Sequence, residues 1–380
     1  MTEPAALAVY LHWPYCARIC PYCDFNVYRD RGRAVEQAQL VQAMLADLKH
    51  QTESLGPRRL ASIFFGGGTP SLMEPAAAAR LIELARHLFP TGDTVEITLE
   101  ANPTDAETAR YRAFAEAGIN RLSLGVQSLD DTALRFLGRD HSADEARRAI
   151  EAAQATFGRV SVDMIYARPD QSAEAWRTEL EAVIALGPEH ISPYQLTIEA
   201  GTAFGRAYGR GTLVPPDEDI QEDLFDQTQT ILNGAGFEAY EVSNHARGPG
   251  AQSAHNLNVW RGMDYVGIGP GAHGRLTLAG ARTATVTHRR VADYLAAVEA
   301  TGTGWAETDT LSPVEAAEER LMLGLRTTEG VALRDIAALD LDARITDLSS
   351  DGFLTAERGR LAATPRGRKV LDSVVRALLV

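Results

Sequence analysis

The chain has 380 residues, 45% of them hydrophobic and 23% charged, which is enough for two or three compact units and excludes a disordered or fibrous protein. Its 37 Lys and Arg against 51 Asp and Glu leave a formal charge of −14, which argues against broad binding to nucleic acid, where affinity rests on neutralising phosphates. No run of 18 apolar residues occurs, and Met1-Thr2-Glu3-Pro4 lacks the basic and apolar stretches of a secretory signal, so a cytoplasmic protein with at most peripheral membrane association is expected.

In chain order, short β-branched or apolar runs at 7–13, 61–65, 95–101, 121–126, 160–166 and 190–196 alternate with periodic Ala- and Leu-rich segments, such as 34–51, 75–88 and 105–117. A β-then-α repeat of about thirty residues predicts right-handed βαβ units and a parallel sheet. Six such units are fewer than a closed eightfold barrel needs. In barrels of this kind functional groups gather at the C-terminal ends of the strands.

Beyond the first strand lie the only cysteines of the chain, Cys16, Cys20 and Cys23. Three thiols within eight residues do not make a disulfide framework. Structural zinc needs four ligands, and there is no second cysteine pair; His12 fits no common zinc spacing. Three thiolates do suit a [4Fe–4S] cube, holding three irons and leaving the fourth open.

The second strand runs into Gly66-Gly67-Gly68-Thr69-Pro70, either an ordinary turn or a place where backbone groups meet a ligand closely. The third ends at Glu100-Ala101-Asn102-Pro103, where Glu100 is a solvated acid or a partner for a ribose or ammonium group. The fourth ends in Gly125-Val126-Gln127-Ser128 and leads to Leu137-Gly138-Arg139. The fifth carries Asp163 between Val162 and Met164, an acid that is costly to bury without a partner.

Further on, 237–243 reads as strand-like, 244–253 as a Gly/Pro/His-rich loop, and Ala254-His255-Asn256-Leu257 precedes a glycine-rich stretch, 267–274. A lone histidine such as His255 is commonly a hydrogen-bonded structural residue, although neutral imidazole also ligates haem iron. His273, set among glycines, reads as a tight turn as readily as a site. From residue 312 the pattern becomes helices over 314–324, 333–338 and 343–349, a small hairpin through 352–354 and 360–362, and a helix over 366–379. The expected divisions are 1–235, 236–305 and 306–380.

The segment Tyr10-Leu11-His12-Trp13-Pro14-Tyr15-Cys16, followed by Cys20-Pro21-Tyr22-Cys23, resembles the cluster loop of the radical S-adenosylmethionine (SAM) family, and in its flanks the oxygen-independent coproporphyrinogen III oxidase-like branch. The resemblance implies an α/β fold, a partial (β/α)6 barrel with a small C-terminal winged-helix-like domain. It implies a [4Fe–4S] cluster on Cys16, Cys20 and Cys23 whose open iron is chelated by SAM. By the same resemblance, Tyr10, Tyr22, Gly67, Gly68, Thr69, Glu100, Gln127, Arg139 and Asp163 match positions that contact SAM, with Thr197 a further match. The His-Asn-Leu triplet is similar to a signature of the branch's haem chaperones and makes His255 the haem-site candidate.

Three departures from the oxidase pattern stand out. Phe25 replaces a further cysteine, and Cys16 sits close to the start of the chain where the oxidase carries an N-terminal extension. Both features match the chaperones. Ala167-Arg168-Pro169-Asp170 replaces the family's Gly-Leu-Pro-Gly, so an altered loop is expected at the barrel mouth. The resulting expectation is a haem chaperone that binds haem, cluster and SAM, lacks oxidase activity and delivers haem to a respiratory haem protein; a homodimer is compatible with it. The alternative is the SAM-dependent oxidase itself. A DNA-binding regulator is disfavoured, because 311–380 holds ten basic and eleven acidic residues.

Overall fold

The computed structural model describes residues 4–53 and 55–380; the opening residues used above to argue against a secretory signal lie partly outside that set. Six parallel strands occur where the βαβ repeat places them: β1 (Ala5–Trp13), β2 (Arg58–Gly67), β3 (Thr91–Ala101), β4 (Arg121–Gln127), β5 (Arg159–Tyr166) and β6 (His190–Gln195). They neighbour one another in sequence order. The helices between them include α1 (Ala34–Glu53), α2 (Pro75–Leu88), α3 (Ala143–Thr156) and α4 (Ala173–Ala185), with α5 (Glu218–Gly234) after β6.

Alternation along each strand separates two environments. Leu7, Val9 and Leu11 of β1, and Val160, Val162 and Met164 of β5, are buried in the main core with Leu40 and Met44 of α1 and Leu180 of α4. The opposite faces carry Tyr10, Ser123, Ser161, Asp163 and Ser192, which line a common internal space. The sheet therefore curves around a polar lumen, and the hydrophobic core lies outside it, between strands and helices.

Four strands extend the sheet beyond β1. β7 (Asp264–Ile268) pairs with β1 in parallel, and β8 (His273–Leu278), β9 (Ala281–Thr287) and β10 (Trp305–Thr310) follow antiparallel. Glycine hides β7 and the start of β8 in the sequence. Gly267 is required because a Cβ there would collide with the His273 backbone. At the far edge, the run 237–243 is strand only at Glu238–Ala239, and the following loop contains a short strand, His245–Ala246, that pairs with β6. The turn between them is held by Glu241, which accepts from Ser243 N at 2.7 Å and Asn244 Nδ2 at 2.5 Å.

Two expected helices are each broken in two. Residues 105–117 form Asp105–Thr108 and Tyr111–Glu116, with Arg110 between them donating to the carbonyls of Ser71 and Met73 at 2.8 Å each. Residues 366–379 divide at Val370, whose φ of −121° and ψ of 34° leave the helical region. The turn at Leu333–Ile336 is 3₁₀ rather than α. These last elements, with the helix Pro313–Leu325 and a three-stranded sheet over Val331–Ala332, Arg360–Ala363 and Leu354–Glu357, enclose a separate core around Leu321, Leu325, Leu354, Leu361 and Leu378. Ion pairs join this unit to the rest, including Lys369 with Asp226 at 2.6 Å and Arg261 with Glu329. No helix among the described residues is long and apolar enough to cross a membrane.

Candidate functional site

Beyond β1, Tyr15–Cys16 pairs in parallel with Tyr28–Arg29, so the cysteine loop leaves and returns at one place. The glycine triplet fastens its base: Gly68 N donates to Trp13 O at 2.7 Å and Thr69 N to Tyr15 O at 2.8 Å. A Cβ on Gly68 would sit 2.7 Å from Tyr15 O and 3.0 Å from Cys16 Sγ, so this glycine is dictated by close approach to the loop, whereas a Cβ on Gly67, at φ +106°, would strike the His12 ring. The return segment is tied down by Asn26, whose Nδ2 donates to Pro270 O at 2.9 Å and Arg289 O at 2.8 Å. His12 bridges Tyr10 OH and Asn26 O, at 3.0 Å each.

All three cysteines are free thiols. They face a cavity of about 550 Å³ that Tyr22, Gly67, Gly68, Thr69, Glu100, Gln127, Arg139, Asp163 and Thr197 also line. Arg139 Nη1 is 3.4 Å from Cys20 Sγ, and its Nη2 donates to Gly125 O at 2.7 Å and to Asn102 Oδ1 at 2.5 Å. Its Nε is buried without a hydrogen-bond partner among the described residues. Burial pushes the Cys16 thiol up to about 12 and the Cys23 thiol upward, and Arg139 opposes both shifts. Such thiols need a cation to hold them as thiolates.

Among the described residues no three His, Cys, Asp or Glu side chains are gathered to hold a single metal ion. A cube asks for something else, one soft donor per iron, and three separate thiols fit that requirement, with the Arg139 cation beside them favouring their thiolate forms.

Two enclosed carboxyls stand across the cavity. Glu100 accepts from Gly67 N at 3.2 Å, and Asp163 accepts from Ser123 Oγ at 3.1 Å. Burial, reinforced by Asp163, pushes Glu100 up to about 8, and burial also raises Asp163. Glu100 is thus largely protonated at neutral pH and can donate as well as accept. Gln127 has a φ of +66°, rare for a residue with a side chain and a mark of strain at a site.

Asn102, Ser123 and Tyr194 line the same cavity and were not singled out by motif. Asn102 ties Thr69 to Arg139, its Nδ2 donating to Thr69 Oγ1 at 3.1 Å. Only Ser123 left a sequence signal, as a polar residue on the inward period of β4.

Tyr10 and His255 line a neighbouring cavity of about 670 Å³ that shares Asp24, Phe25, Gly67 and Glu100 with the first. His255 opens a short helix, Ala254–Trp260, capped by Ser253. The Glu96 carboxylate accepts from Ala254 N and His255 N at 3.0 Å each, a favourable place for an anion. The His255 ring stacks on Phe64 at 4.8 Å, and its Nδ1 lies 3.1 Å from Ser62 Oγ. Burial lowers its pKa to about 4, leaving a neutral imidazole with one nitrogen engaged, as metal-binding histidines have.

The loop after β5 keeps a glycine-type backbone without glycines: Ala167 has φ +57° and Asp170 φ +60°. Arg168 anchors it from within, donating to Glu179 Oε2 at 2.7 Å and Ile165 O at 2.9 Å.

Two family profiles match the chain, the radical SAM superfamily over residues 10–183 and the HemN C-terminal domain over residues 311–370. The chain is 39% identical to the mitochondrial radical S-adenosyl methionine domain-containing protein 1 of Mus musculus, over 98% of this chain and 87% of that protein. It is 41% identical to the haem chaperone HemW of Escherichia coli over 76% of this chain and 75% of the relative, and 35% identical to that of Mycobacterium tuberculosis over 98% and 94%. The coproporphyrinogen III oxidase HemN of Escherichia coli has the same fold, with a TM-score of 0.82 at 20% identity over 99% of this chain and 91% of that one. The α/β architecture, the thiol-lined cavity and these relatives agree: the chain belongs to the radical SAM superfamily and, within it, to the family of the haem chaperone HemW.

Proposed function

We propose that the protein is a haem chaperone, which binds haem beside a [4Fe–4S] cluster and delivers it to a respiratory haem protein from the cytoplasm. The observation that carries this reading is the pair of adjoining cavities, one lined by three free thiols and the other by aromatic rings and neutral imidazole, with Glu100 in both walls. Cys16, Cys20 and Cys23 would hold the cluster, and His255 would meet the haem iron. When bound, cluster and SAM would supply one-electron chemistry that the side chains lack.

The chain's own residues supply position and charge. Arg139 stands beside Cys20 and brings its positive charge to the cavity wall, where it would attract a carboxylate. Thr69, Asn102 and Gln127 offer polar groups along one wall, and Tyr22 covers the loop side. Glu100 and Asp163 provide one predominantly protonated acid and one acceptor for amino or hydroxyl groups. Tyr10 and Phe64 pack around His255 and shield its ring from water.

The oxidase reading has less support. HemN shares the fold at 20% identity, whereas relatives at 35–42% identity carry the chaperone name, and Phe25 occupies the oxidase's extra cysteine position. Anaerobic haem titration of the cluster-reconstituted protein tests the proposal. Saturation near one haem per chain supports it; non-saturating uptake together with turnover of coproporphyrinogen would replace it with the oxidase.

A further inference from the structure

We infer that His273 is a ligand to the iron of the bound haem, an assignment that rests on the haem-chaperone reading above. Strand register places it. Phe64 pairs with Tyr10, Tyr10 with Gly267, His273 with Val286 and Val286 with Glu307, while Gly267 lies against the His273 backbone. These residues form one row across the sheet, and neighbours in such a row share a face. Gly267 leaves that row without a side chain between Tyr10 and His273. The gap spans two strand spacings, roughly 10 Å.

The gap opens into the 670 Å³ cavity, a size suited to a cofactor. Phe25, Val259 and Val286 give it apolar walls and Arg289 offers a cation to a carboxylate, while Asp24, Glu100 and Glu307 also line it and leave Arg289 as the place for an acidic group. This combination suits a flat apolar macrocycle with acidic side chains.

His273 is also the uncommitted imidazole of this lumen. Of the other lumen histidines, His12 and His190 have both ring nitrogens engaged, by Tyr10 and Asn26 O and by Ser161 and Tyr240, whereas His255 engages only Nδ1, with Ser62, as a ligating histidine can. His273 makes no side-chain hydrogen bond among the described residues, although its side chain is exposed to the cavity. Partial desolvation in the cavity, with Arg275 and Arg289, outweighs the opposing Glu307 and favours its neutral form, the form that binds iron.

The test is an anaerobic titration of haem into the full-length, cluster-reconstituted protein, read by the Soret band and by the spin state in electron paramagnetic resonance. H273A is expected to weaken haem binding about tenfold or more and to change the spin state, with cluster absorbance retained. H273C, which replaces one ligand by another, is expected to recover affinity with a thiolate-type spectrum. H273A with wild-type affinity, Soret position and spin state would overturn the assignment while leaving the chaperone reading intact. Failure of the wild-type protein to take up stoichiometric haem would remove both.

Discussion

Replacing Arg168 with leucine, the family's residue at that position, removes the cation from a buried pair. Arg168 and Glu179 are 7% and 8% exposed, and Glu179 also accepts hydrogen bonds from Ser128 Oγ and, at 2.7 Å, from Leu129 N. Two neutral donors remain after the change, but the carboxylate loses its charge partner, which costs about 3–5 kcal/mol when the pair is buried. Restoring the flanking glycines acts in the opposite direction. Glycine holds the left-handed conformation without a Cβ clash, which relieves about 1–2 kcal/mol at position 167 and less at 170, while the freer unfolded chain takes back about 0.4–1 kcal/mol at each position. A167G with D170G should therefore gain about 1 kcal/mol in total, and the full A167G/R168L/D170G graft should still lose about 2–4 kcal/mol. Urea unfolding of the three variants, followed by circular dichroism, measures these differences. R168L/E179Q should recover at least half of the R168L loss, because the stranded charge goes with it. An R168L variant within 1 kcal/mol of wild type would refute the claim that this ion pair replaces the glycines as the anchor of the loop.

Three further outcomes are expected. Alanine at Cys16, Cys20 or Cys23 should abolish the broad iron–sulfur absorbance after reconstitution, and any variant that keeps full iron and sulfide would contradict the ligand assignment. G68A should at least halve cluster iron, since its Cβ would press on Tyr15 O and Cys16 Sγ, whereas G250A, with nothing within 4 Å, should reconstitute normally. Glu100 is raised to about 8 by burial and Asp163, so the folded apo-protein holds a proton there that the unfolded chain releases near its ordinary value of 4.5. Its contribution to stability is therefore fully present below that ordinary value and is lost as pH rises towards and through about 8. E100Q should flatten that decline in denaturation measured between pH 5 and 8; an unchanged slope would contradict the raised value.

Much of the cluster loop and barrel was legible because the information there is local. Hydrophobic runs at regular spacing specify six strands, and Cys16, Cys20 and Cys23 lie within one short loop, so the sequence alone carries their chemistry. Gly68 was legible as a glycine with a purpose, although the purpose, contact with Cys16, depends on β2 lying beside β1. The misread elements are those where distant groups outweigh local preference. Arg110 finds the Ser71 and Met73 carbonyls and breaks a helix; Glu241 organises a turn in a run that reads as strand; Gly267 yields to the His273 backbone inside what reads as a glycine loop.

The sequence by itself determined the α/β class, the grouping of three thiols in one short loop and the kinship of the chain, because periodicity, residue type and short spacing survive without a fold. Tertiary structure decided that burial and Asp163 push the Glu100 carboxyl upward, that Arg139 stands against Cys20, and that His255 and His273 open onto one cavity. Each of those facts depends on burial or on the register of strands far apart in the chain, and neither quantity is encoded in any single segment.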